Sequence, residues 1–451
     1  MIKPRERFFS GSGSLITGGP YTWHVADLDQ RRHFAVTYDP TTPIDPDDYE
    51  ALEGTEEICR QELAKHVDDL GPGVFGFRFS EPDGPITVTT SPDDDVTTYP
   101  NNHPLPALEL PFPIKVISIT QLVELDRLAP QVDLVSYHDG PLSAAGKDGT
   151  QRAVFKYWFM ESGRFRTWLE LGDWCRLPRD HPHIVPFDAV VLEPVRGSIV
   201  GFTSLFVPGG TLQDTATTRP FQLRWFRQLL SVVDDLNYGY GVMHQDIAPR
   251  NLLIDEDNNL RVFDLNYAAT IGEDYCTTER DDTKGVVFTL YEIVTLDTHY
   301  RKVPFAEQDP EAVMRLESWP QHPDVQPDAD VSAFRDALRD WVARRRARPP
   351  FSEPHKDTWV RWPFVNTPPL VYAQPTGTHD PEKSVLVRAR LLFRRDLVRR
   401  GEPFYEWERP ASYRMRDVVA NAAAGGGMEA PNGVVDAAQL PPRGDVLPEN
   451  R

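Results

Sequence analysis

The segment from Gly241 to Ala269 constrains the fold of this chain more than any other stretch. It contains a polar loop, a short apolar strand, an Asp/Asn-rich turn and a second strand that ends in an acid: GVMHQDIAPRNLLIDEDNNLRVFDLNYAA. A β-hairpin of this kind brings Asn251 and Asp264 to the same end of the strand pair, with Asp246 close by. One Asp that can accept a proton, beside an Asn and an Asp that offer oxygen atoms to a hard cation, is suited to transfer of a phosphoryl group from Mg-ATP.

The letters of this segment also resemble a known family. HQDIAPRN resembles the catalytic loop of eukaryotic protein kinases, H-R-D-L-x-x-x-N, and VFDLN resembles their D-F-G segment, at the usual spacing. The resemblance implies that Asp246 accepts the proton of the substrate hydroxyl and that Asn251 and Asp264 hold Mg²⁺. It also implies that Leu253 forms the floor under the adenine ring and that His244 supports the loop.

Upstream segments resemble the nucleotide-binding part of the same family. Ala153-Val-Phe-Lys156 resembles the V-A-I-K strand, which implies that Lys156 binds the α and β phosphates and that Ala153 lies against the nucleotide. A helix-forming segment at 165–177 carries Glu170, which the resemblance assigns as the ion-pair partner of Lys156. HPHIVPF at 181–187 resembles the start of the strand that follows this helix in kinases.

Two further segments extend the resemblance toward the C-terminus. SIVGFTSLFVPGGTL at 198–212 resembles the fifth strand and hinge of kinases, and it places the backbone of Leu205 and Val207 against adenine. DDTKGVVFTLYEIVT at 281–295 has helical spacing of apolar residues and resembles the buried helix at the base of the second lobe. Counting back along that helix selects Asp282 as the residue that holds the catalytic-loop backbone through hydrogen bonds.

These segments predict an α+β fold. The resemblance implies a two-lobed protein-kinase-like domain over residues 113–405, with a β-rich N-lobe at 113–207 and a helical C-lobe at 208–405. A small α+β region at 1–112, of unknown role, precedes the domain, and a largely disordered tail at 406–451 follows it. Within the C-lobe we expect further helices over 221–238, around Val331 to Val342 and over 384–400.

The first region has its own pattern but no catalytic constellation. His33–Tyr38, Val74–Phe79 and Ile86–Thr90 have the alternation or apolar runs of strands, and Glu56–Leu70 has a helical apolar stripe. Residues 1–20 are rich in Gly and Ser, and we expect them to be loose.

Composition limits the partners and the compartment. A net charge of −20 over 451 residues argues against a chain that wraps nucleic acid or lies on anionic lipid. No apolar stretch is long enough to span a membrane, and no secretory signal is visible at the N-terminus. Three widely spaced cysteines form neither a disulfide framework nor a zinc pattern. These features predict a cytoplasmic or nuclear protein whose partners are ATP, Mg²⁺ and an unknown protein substrate.

Four departures from the kinase pattern bear on activity. The glycine-rich phosphate loop is replaced by RLAPQVD, Arg127–Asp133. HRD has become HQD, which predicts no control by phosphorylation through Gln245, and DFG has become Asp264-Leu-Asn. Only 17 residues separate Asp264 from Asp282, so much of the shelf on which kinases hold a substrate peptide is missing.

Three functional interpretations therefore remain open from the sequence. The first is a phosphotransferase, resembling the divergent protein-kinase-like proteins that are numerous in fungi, which acts on a Ser/Thr hydroxyl of a protein. The second is a small-molecule kinase of the aminoglycoside or choline kinase kind, which also carries H-x-D-x-x-x-x-N and lacks a long activation segment. The third is a pseudokinase that acts as a binding or scaffolding module, which the loss of the glycine-rich loop favours.

Overall fold

The computed structural model describes residues 2–105, 113–139, 149–348 and 392–413, together with the backbone of three strands at 370–373, 385–388 and 434–435. These residues form both helices and sheets, which confirms the predicted α+β class. Seven α-helices occur in the described part: α1 (Tyr49–His66), α2 (Arg164–Arg176), α3 (Leu223–Asp234), α4 (Asp282–Thr295), α5 (Pro310–Arg315), α6 (Val331–Ala347) and α7 (Arg394–Arg400). None of the helices in these ranges is both long enough and apolar enough to cross a bilayer.

The first sheet has five strands in sequential order: β1 (Phe8–Leu15), β2 (Tyr21–Asp27), β3 (Arg32–Tyr38), β4 (Gly76–Phe79) and β5 (Thr87–Thr89). Helix α1 connects β3 to β4, which pair in parallel, and packs on a core that includes Phe34, Cys59 and Leu63. The expectation that residues 1–20 are loose is wrong, because β1 pairs with β2 along its whole length. Most residues of β1 are exposed, so its sequence lacks the apolar alternation from which a strand is predicted.

The second sheet carries the upstream part of the predicted site. After the two-residue strand β6 (Thr98–Tyr99), six strands follow in the chain: β7 (Val116–Ser118), β8 (Val123–Ala129), β9 (Val132–His138), β10 (Thr150–Tyr157), β11 (Phe187–Leu192) and β12 (Ile199–Leu205). Their order in the sheet is β7-β11-β12-β10-β9-β8, and all neighbours are antiparallel except β7 and β11. Helix α2 connects β10 to β11, as the helix-forming segment at 165–177 predicted.

A helical part follows the second sheet. Helices α3, α4 and α6 bury a large shared apolar core that includes Phe226, Val286 and Phe334. Four short strands lie on it: β13 (Val242–Met243), β14 (Leu252–Ile254), β15 (Leu260–Val262) and β16 (Ala269–Thr270). Strands β14 and β15 pair antiparallel, so the predicted hairpin is present. The apolar spacing that predicted a helix over 221–238 continues past α3 as a π-helical turn, Asp235–Gly239.

The described strands near the C-terminus form separate two-stranded pairs. The last strands are β17 (Leu370–Ala373), β18 (Val385–Arg388), β19 (Leu392–Phe393), β20 (Phe404–Tyr405) and β21 (Val434–Val435), and β19 pairs with β6. The helix expected over 384–400 is wrong in its first half, because 385–388 form a strand and α7 begins at Arg394. Ordered structure continues beyond the boundary expected at residue 405, since Trp407 and Arg409 are buried. Most of the tail expected to be disordered lies outside the described residues.

Candidate active site

The loop between β13 and β14 brings Asp246 and Asn251 into direct contact. Asn251 lies in a 3₁₀ turn, and its Nδ2 donates hydrogen bonds to Oδ2 and to the backbone oxygen of Asp246, both at 2.8 Å. Arg250 Nη2 donates to the other carboxylate oxygen, Oδ1, at 2.5 Å. The carboxylate is therefore oriented by two side chains of its own loop. Each oxygen can still accept a further hydrogen bond, because a carboxylate oxygen has two lone pairs.

Asp264 follows β15 and lies beside the same loop. Its backbone is left-handed, with φ of 65°, and the preceding Phe263 donates its N–H to the backbone oxygen of Asn251 at 3.2 Å. From the second sheet, Lys156 Nζ donates to Asp264 Oδ1 at 2.5 Å and to Glu170 Oε1 at 2.7 Å, and the junction of the sheet and the helical part around this ammonium group is called the cleft below. Strand β10, helix α2 and the β14–β15 hairpin therefore converge on one ammonium group.

Helix α4 supports the loop from below. Asp282, in its first turn, is 1% exposed and accepts hydrogen bonds from the backbone N–H groups of His244 and Gln245, both at 2.8 Å. Asn237 Nδ2 donates to the same carboxylate at 2.8 Å. The buried imidazole of His244 lies 3.0 Å from the backbone oxygen of Phe263, so it ties the loop to the strand that carries Asp264.

The apolar lining of the cleft requires one correction. Side chains alternate along a strand, so Val154 shares the face of Lys156, whereas Ala153 points to the opposite face. Ala153 is fully buried there, in the core behind the sheet, and does not line the cleft as the resemblance implied. Leu253 is half-buried on β14 and forms an isolated β-bridge with Thr211, which follows β12 in the chain.

The residues that the resemblance assigns to a hinge, Leu205 and Val207, lie at the end of β12 and directly after it. Leu205 ends β12, where it pairs with Ala153, and its N–H donates to the backbone oxygen of Pro186 at 3.0 Å. Val207 follows two residues later, and both side chains are half-buried. Strand β12 pairs with β10, so the end of this segment lies beside the strand that carries Lys156.

The charges of the cleft favour a cation beside Asp264. Burial would lower the pKa of Lys156, but Glu170 and Asp264 outweigh it and raise that pKa. Burial raises the pKa of Glu170. Burial would also raise the pKa of Asp264, but the neighbouring ammonium group of Lys156 has the larger effect and lowers it. With one ammonium and two carboxyl groups, the cluster carries an excess of negative charge when ionised.

Magnesium fits this donor set. Asn251 turns its amide nitrogen toward Asp246, which leaves its carbonyl oxygen on the other side of the amide. That oxygen and the Asp264 carboxylate are hard ligands, and Mg²⁺ uses one or two such groups with waters and phosphate oxygens. Among the described residues no three or more His, Cys, Asp or Glu side chains converge as a metal-binding group. Asn251 and Asp264 therefore suit a cation that arrives with a nucleotide.

Gln245 has a structural role that the sequence did not reveal. It is left-handed, with φ of 60°, and 5% exposed. Its Nε2 donates to the backbone oxygens of Tyr267 at 2.7 Å and Tyr275 at 2.9 Å, and its Oε1 accepts from Thr277 N at 2.7 Å. One neutral amide thus fixes the segment between Asp264 and Asp282 without any added charge.

Arg250 is the other side chain of the site that sequence reasoning did not assign. Its guanidinium pairs with Asp246, four residues earlier, across the loop. Arg250 stands immediately before Asn251, but its bond to Asp246 depends on the 3₁₀ turn of the loop. The sequence alone gave a basic residue near an acid, which is equally typical of a solvated surface.

Comparison with known proteins finds protein kinases, over short stretches. No protein-family model matches the chain. It is 25% identical over 194 residues to the dual specificity protein kinase pyk3 of Dictyostelium discoideum, which covers 38% of this chain and 14% of that protein. It is 35% identical over 99 residues to the CBL-interacting protein kinase 12 of Oryza sativa subsp. japonica, which covers 20% and 16%. It is 52% identical over 46 residues to the putative CBL-interacting protein kinase 27 of the same plant, which covers 10% and 11%.

These matches support a kinase-like function at a general level. The chain spans about a fifth or less of the length of these curated relatives. They come from Dictyostelium and rice, so the resemblance to fungal proteins has no support in them.

Proposed function

We propose that this chain is an ATP- and magnesium-dependent phosphotransferase, built as a two-lobed protein-kinase-like domain over residues 113–405, that phosphorylates a protein hydroxyl. The observation that carries the proposal is a series of three contacts: Lys156 with Asp264, the N–H of the adjoining Phe263 with the backbone oxygen of Asn251, and Asn251 with Asp246. Acids in an ordinary hairpin turn would be solvated, whereas Asp246 is buried, Asp264 is half-buried, and both have defined partners. The partial similarity to protein kinases supports the same reaction class.

In this reaction the acceptor oxygen forms a bond to the γ-phosphorus while the bond from that phosphorus to the β–γ bridging oxygen breaks, and ADP leaves. Asp246 accepts the proton of the acceptor hydroxyl, and Asn251 and Arg250 hold its carboxylate in place. Lys156, positioned by Glu170, binds the α and β phosphates. Asn251 and Asp264 would hold the magnesium ion, which would neutralise part of the phosphate charge.

The nucleotide base lies between the two parts of the domain. In this proposal the backbone of Leu205 and Val207 forms hydrogen bonds with adenine, as the resemblance implies. Leu253 packs below the ring, and Val154 replaces Ala153 as the apolar residue above it, because Val154 shares the face of Lys156.

We favour a Ser or Thr hydroxyl as acceptor. One relative is named a dual specificity protein kinase, and others are named serine/threonine-protein kinases. The second name specifies Ser and Thr hydroxyls as acceptors, which supports this choice. The short segment of 17 residues between Asp264 and Asp282 favours a second candidate, a small-molecule kinase, because it offers little shelf for a peptide. The glycine-free turn between β8 and β9 favours the third, a binding module without turnover.

A cytoplasmic or nuclear location is part of the proposal. All three cysteines, Cys59, Cys175 and Cys276, are free thiols, which suits a reducing compartment. Imaging of a tagged chain tests it, and accumulation in the secretory pathway would contradict it.

Thermal unfolding with and without Mg-ATP is the first test. A ligand that binds only the native state at 100 times its Kd stabilises it by about 2.7 kcal/mol, so the unfolding midpoint rises if ATP binds. Asp246→Asn, which is nearly isosteric, should keep this shift and lose phosphotransfer. The matched control is Asp257→Asn, in the exposed turn of the β14–β15 hairpin, which should keep both.

The pattern of results separates the three functions. No thermal shift at millimolar Mg-ATP would refute ATP binding altogether. A shift without phosphotransfer to proteins or to small alcohols and amines would establish a binding module. Phosphotransfer to small alcohols or amines alone would establish the small-molecule kinase.

A further inference from the structure

A buried ionic network joins three distant parts of the chain behind the second sheet. It connects the turn between β2 and β3, the β8–β9 hairpin and the C-terminal segment 407–413. It contains three guanidinium and three carboxylate groups and one phenol: Arg31, Arg127, Arg409, Asp29, Glu124, Asp133 and Tyr157. The charges balance, and every member except Glu124 is buried.

Arg127 links the hairpin to both other parts. Its side chain is 1% exposed, and it stands on β8 in the segment that replaces the glycine-rich loop. Nη1 donates to Oδ1 of Asp29 at 2.9 Å and to the backbone oxygen of the same residue at 2.7 Å. Nε donates to Glu124 at 2.6 Å, and Nη2 donates to the backbone oxygen of Pro410 at 2.7 Å.

Arg409 makes the complementary links from the C-terminal segment. Its Nη1 donates to Glu124 at 2.7 Å and to Asp133 at 2.6 Å, so it joins the two strands of the hairpin. Its Nε donates to the backbone oxygen of Asp29 at 2.8 Å, and its Nη2 to the hydroxyl of Tyr157 at 3.1 Å.

The first region closes the network from the other side. Arg31 donates to Asp133 at 2.6 Å and to the hydroxyl of Tyr157 at 2.9 Å, and its guanidinium lies 4.3 Å from the centre of the Tyr157 ring. Trp407 stacks on the same ring at 5.8 Å. Burial would raise the pKa of Glu124, but Arg409, Arg31 and Arg127 lower it to about 2, so its carboxylate stays ionised.

The network lies directly behind the proposed nucleotide site. Asp133 pairs with Phe155, and the neighbouring Val132 pairs with Lys156. At the tip of the hairpin, the backbone oxygen of Gln131 accepts a hydrogen bond from Tyr157 N at 3.1 Å. The hairpin that faces the phosphates is thus fixed both at its tip and along its outer face.

We propose that Arg127 and Arg409 are positioning residues that hold the β8–β9 hairpin over the phosphates of ATP, and that the first region and the segment 407–413 are thereby part of the nucleotide site. The inference rests on the proposed function. A glycine-rich loop approaches the phosphates by being flexible and is ordered by the ligand. In this chain the hairpin has no glycine between Arg127 and Asp133, and the buried network orders it before the ligand arrives.

Nucleotide affinity in Arg409 variants tests the inference. Arg409→Lys keeps the charge but cannot reach all of the oxygen atoms that the guanidinium fork contacts. We expect it to weaken ATP binding about tenfold, the loss of one charge-assisted hydrogen bond. Adenosine, which has no phosphates, should bind within about twofold of its affinity for the unaltered chain. A general loss of folding would weaken both ligands alike, so the ratio of the two affinities reports positioning.

Two further variants complete the comparison. Arg409→Met removes one of the two guanidinium partners of both Glu124 and Asp133 and should shift the ratio further where it folds. Arg399→Lys is the matched control, because Arg399 lies in the same C-terminal part of the chain with a 57% exposed side chain. It should leave both affinities unchanged. If the unaltered chain binds ATP and Arg409→Lys leaves the ratio of the two affinities unchanged, this inference is overturned but the proposed function is not. If the unaltered chain does not bind ATP, the proposed function is refuted as well.

Hydrogen exchange in the unaltered chain gives an independent result. If the network orders the hairpin, the ladder amides of β8 and β9 exchange slowly without nucleotide, and Mg-ATP changes their rates by less than about twofold. Protection that develops only when Mg-ATP binds would overturn the inference, whatever the variants do.

Discussion

Replacement of Gln245 by Glu tests whether one neutral amide holds the segment between Asp264 and Asp282. The two side chains have the same size, and Glu keeps the oxygen that accepts from Thr277. It loses both donors, which serve the backbone oxygens of Tyr267 and Tyr275. At high pH the variant therefore places a carboxylate against two carbonyl oxygens in a site that is 5% exposed.

The size of the effect follows from those two bonds. A buried acceptor that loses its donor costs about 1–3 kcal/mol, so the loss of two donors should lower the free energy of unfolding by about 2–6 kcal/mol at pH 8. Carbonyl oxygens favour the protonated carboxyl, so the pKa of the introduced carboxyl group should be higher in the folded variant than in the unfolded one. Stability is then lost as pH rises through the folded pKa, and a protonated carboxyl regains one donor. About half of the loss should therefore disappear at pH 5.

Urea unfolding of the unaltered chain and Gln245→Glu at pH 8 and pH 5 measures this difference. Hydrogen exchange of the amides at 267–277 reports the segment itself, and we expect faster exchange there at pH 8 than in the unaltered chain. Gln326→Glu is the matched control, because Gln326 is exposed and should tolerate the same change at both pH values. Equal stability of Gln245→Glu and the unaltered chain at pH 8 would refute the reasoning.

Four other substitutions test particular contacts of the fold. Burial raises the pKa of Asp173 to about 7, so the stability of the unaltered chain falls as the pH rises from the pKa of the unfolded state toward pH 7. Asp173→Asn should therefore increase the free energy of unfolding by about 2–4 kcal/mol at pH 8 and leave it unchanged at pH 4, as measured by urea unfolding. Gly201→Ala should lower the unfolding midpoint sharply, because its Cβ would lie 2.2 Å from the backbone oxygen of Lys156, whereas Gly54→Ala in α1 meets nothing within 4 Å and should stabilise by about 0.5–1 kcal/mol. Lys156→Met leaves the carboxyl groups of Glu170 and Asp264 without their shared ammonium group. We expect loss of the thermal shift with Mg-ATP and a stability deficit, relative to the unaltered chain, that is larger at pH 8 than at pH 5. An equal deficit at both pH values would contradict this.

The sequence predicted those parts of the molecule that depend on short-range pattern. An Asp/Asn turn between two apolar runs gives the β14–β15 hairpin, and the order of Lys156 and Glu170 anticipates the ion pair that the geometry contains. Ala153 was chosen from the letters of a family motif, although strand alternation alone already selects Val154. Strand β1 was missed because its stability comes from pairing of its backbone, which leaves no apolar pattern in its side chains.

Long-range ionic contacts could not be predicted in the same way. Arg127, Arg409 and Asp29 are scattered charges in the sequence, and each resembles the many solvated residues of an acidic chain. Only the fold shows that they are buried together, because the contact between Arg409 and Asp29 spans 380 positions. The role of Gln245 is hidden for a related reason, since its partners are backbone oxygens, which every sequence supplies.

The position of Arg409 also has a consequence for biosynthesis. A ribosome makes the strands that carry Lys156 and Asp133 long before it reaches residue 409. Until then, Asp133 in the nascent second sheet lacks its ion pair with Arg409. Contacts of such sequence separation form late and slowly. The growing polypeptide therefore cannot complete this ionic network, and with it the proposed nucleotide site, until residue 409 has emerged and docked.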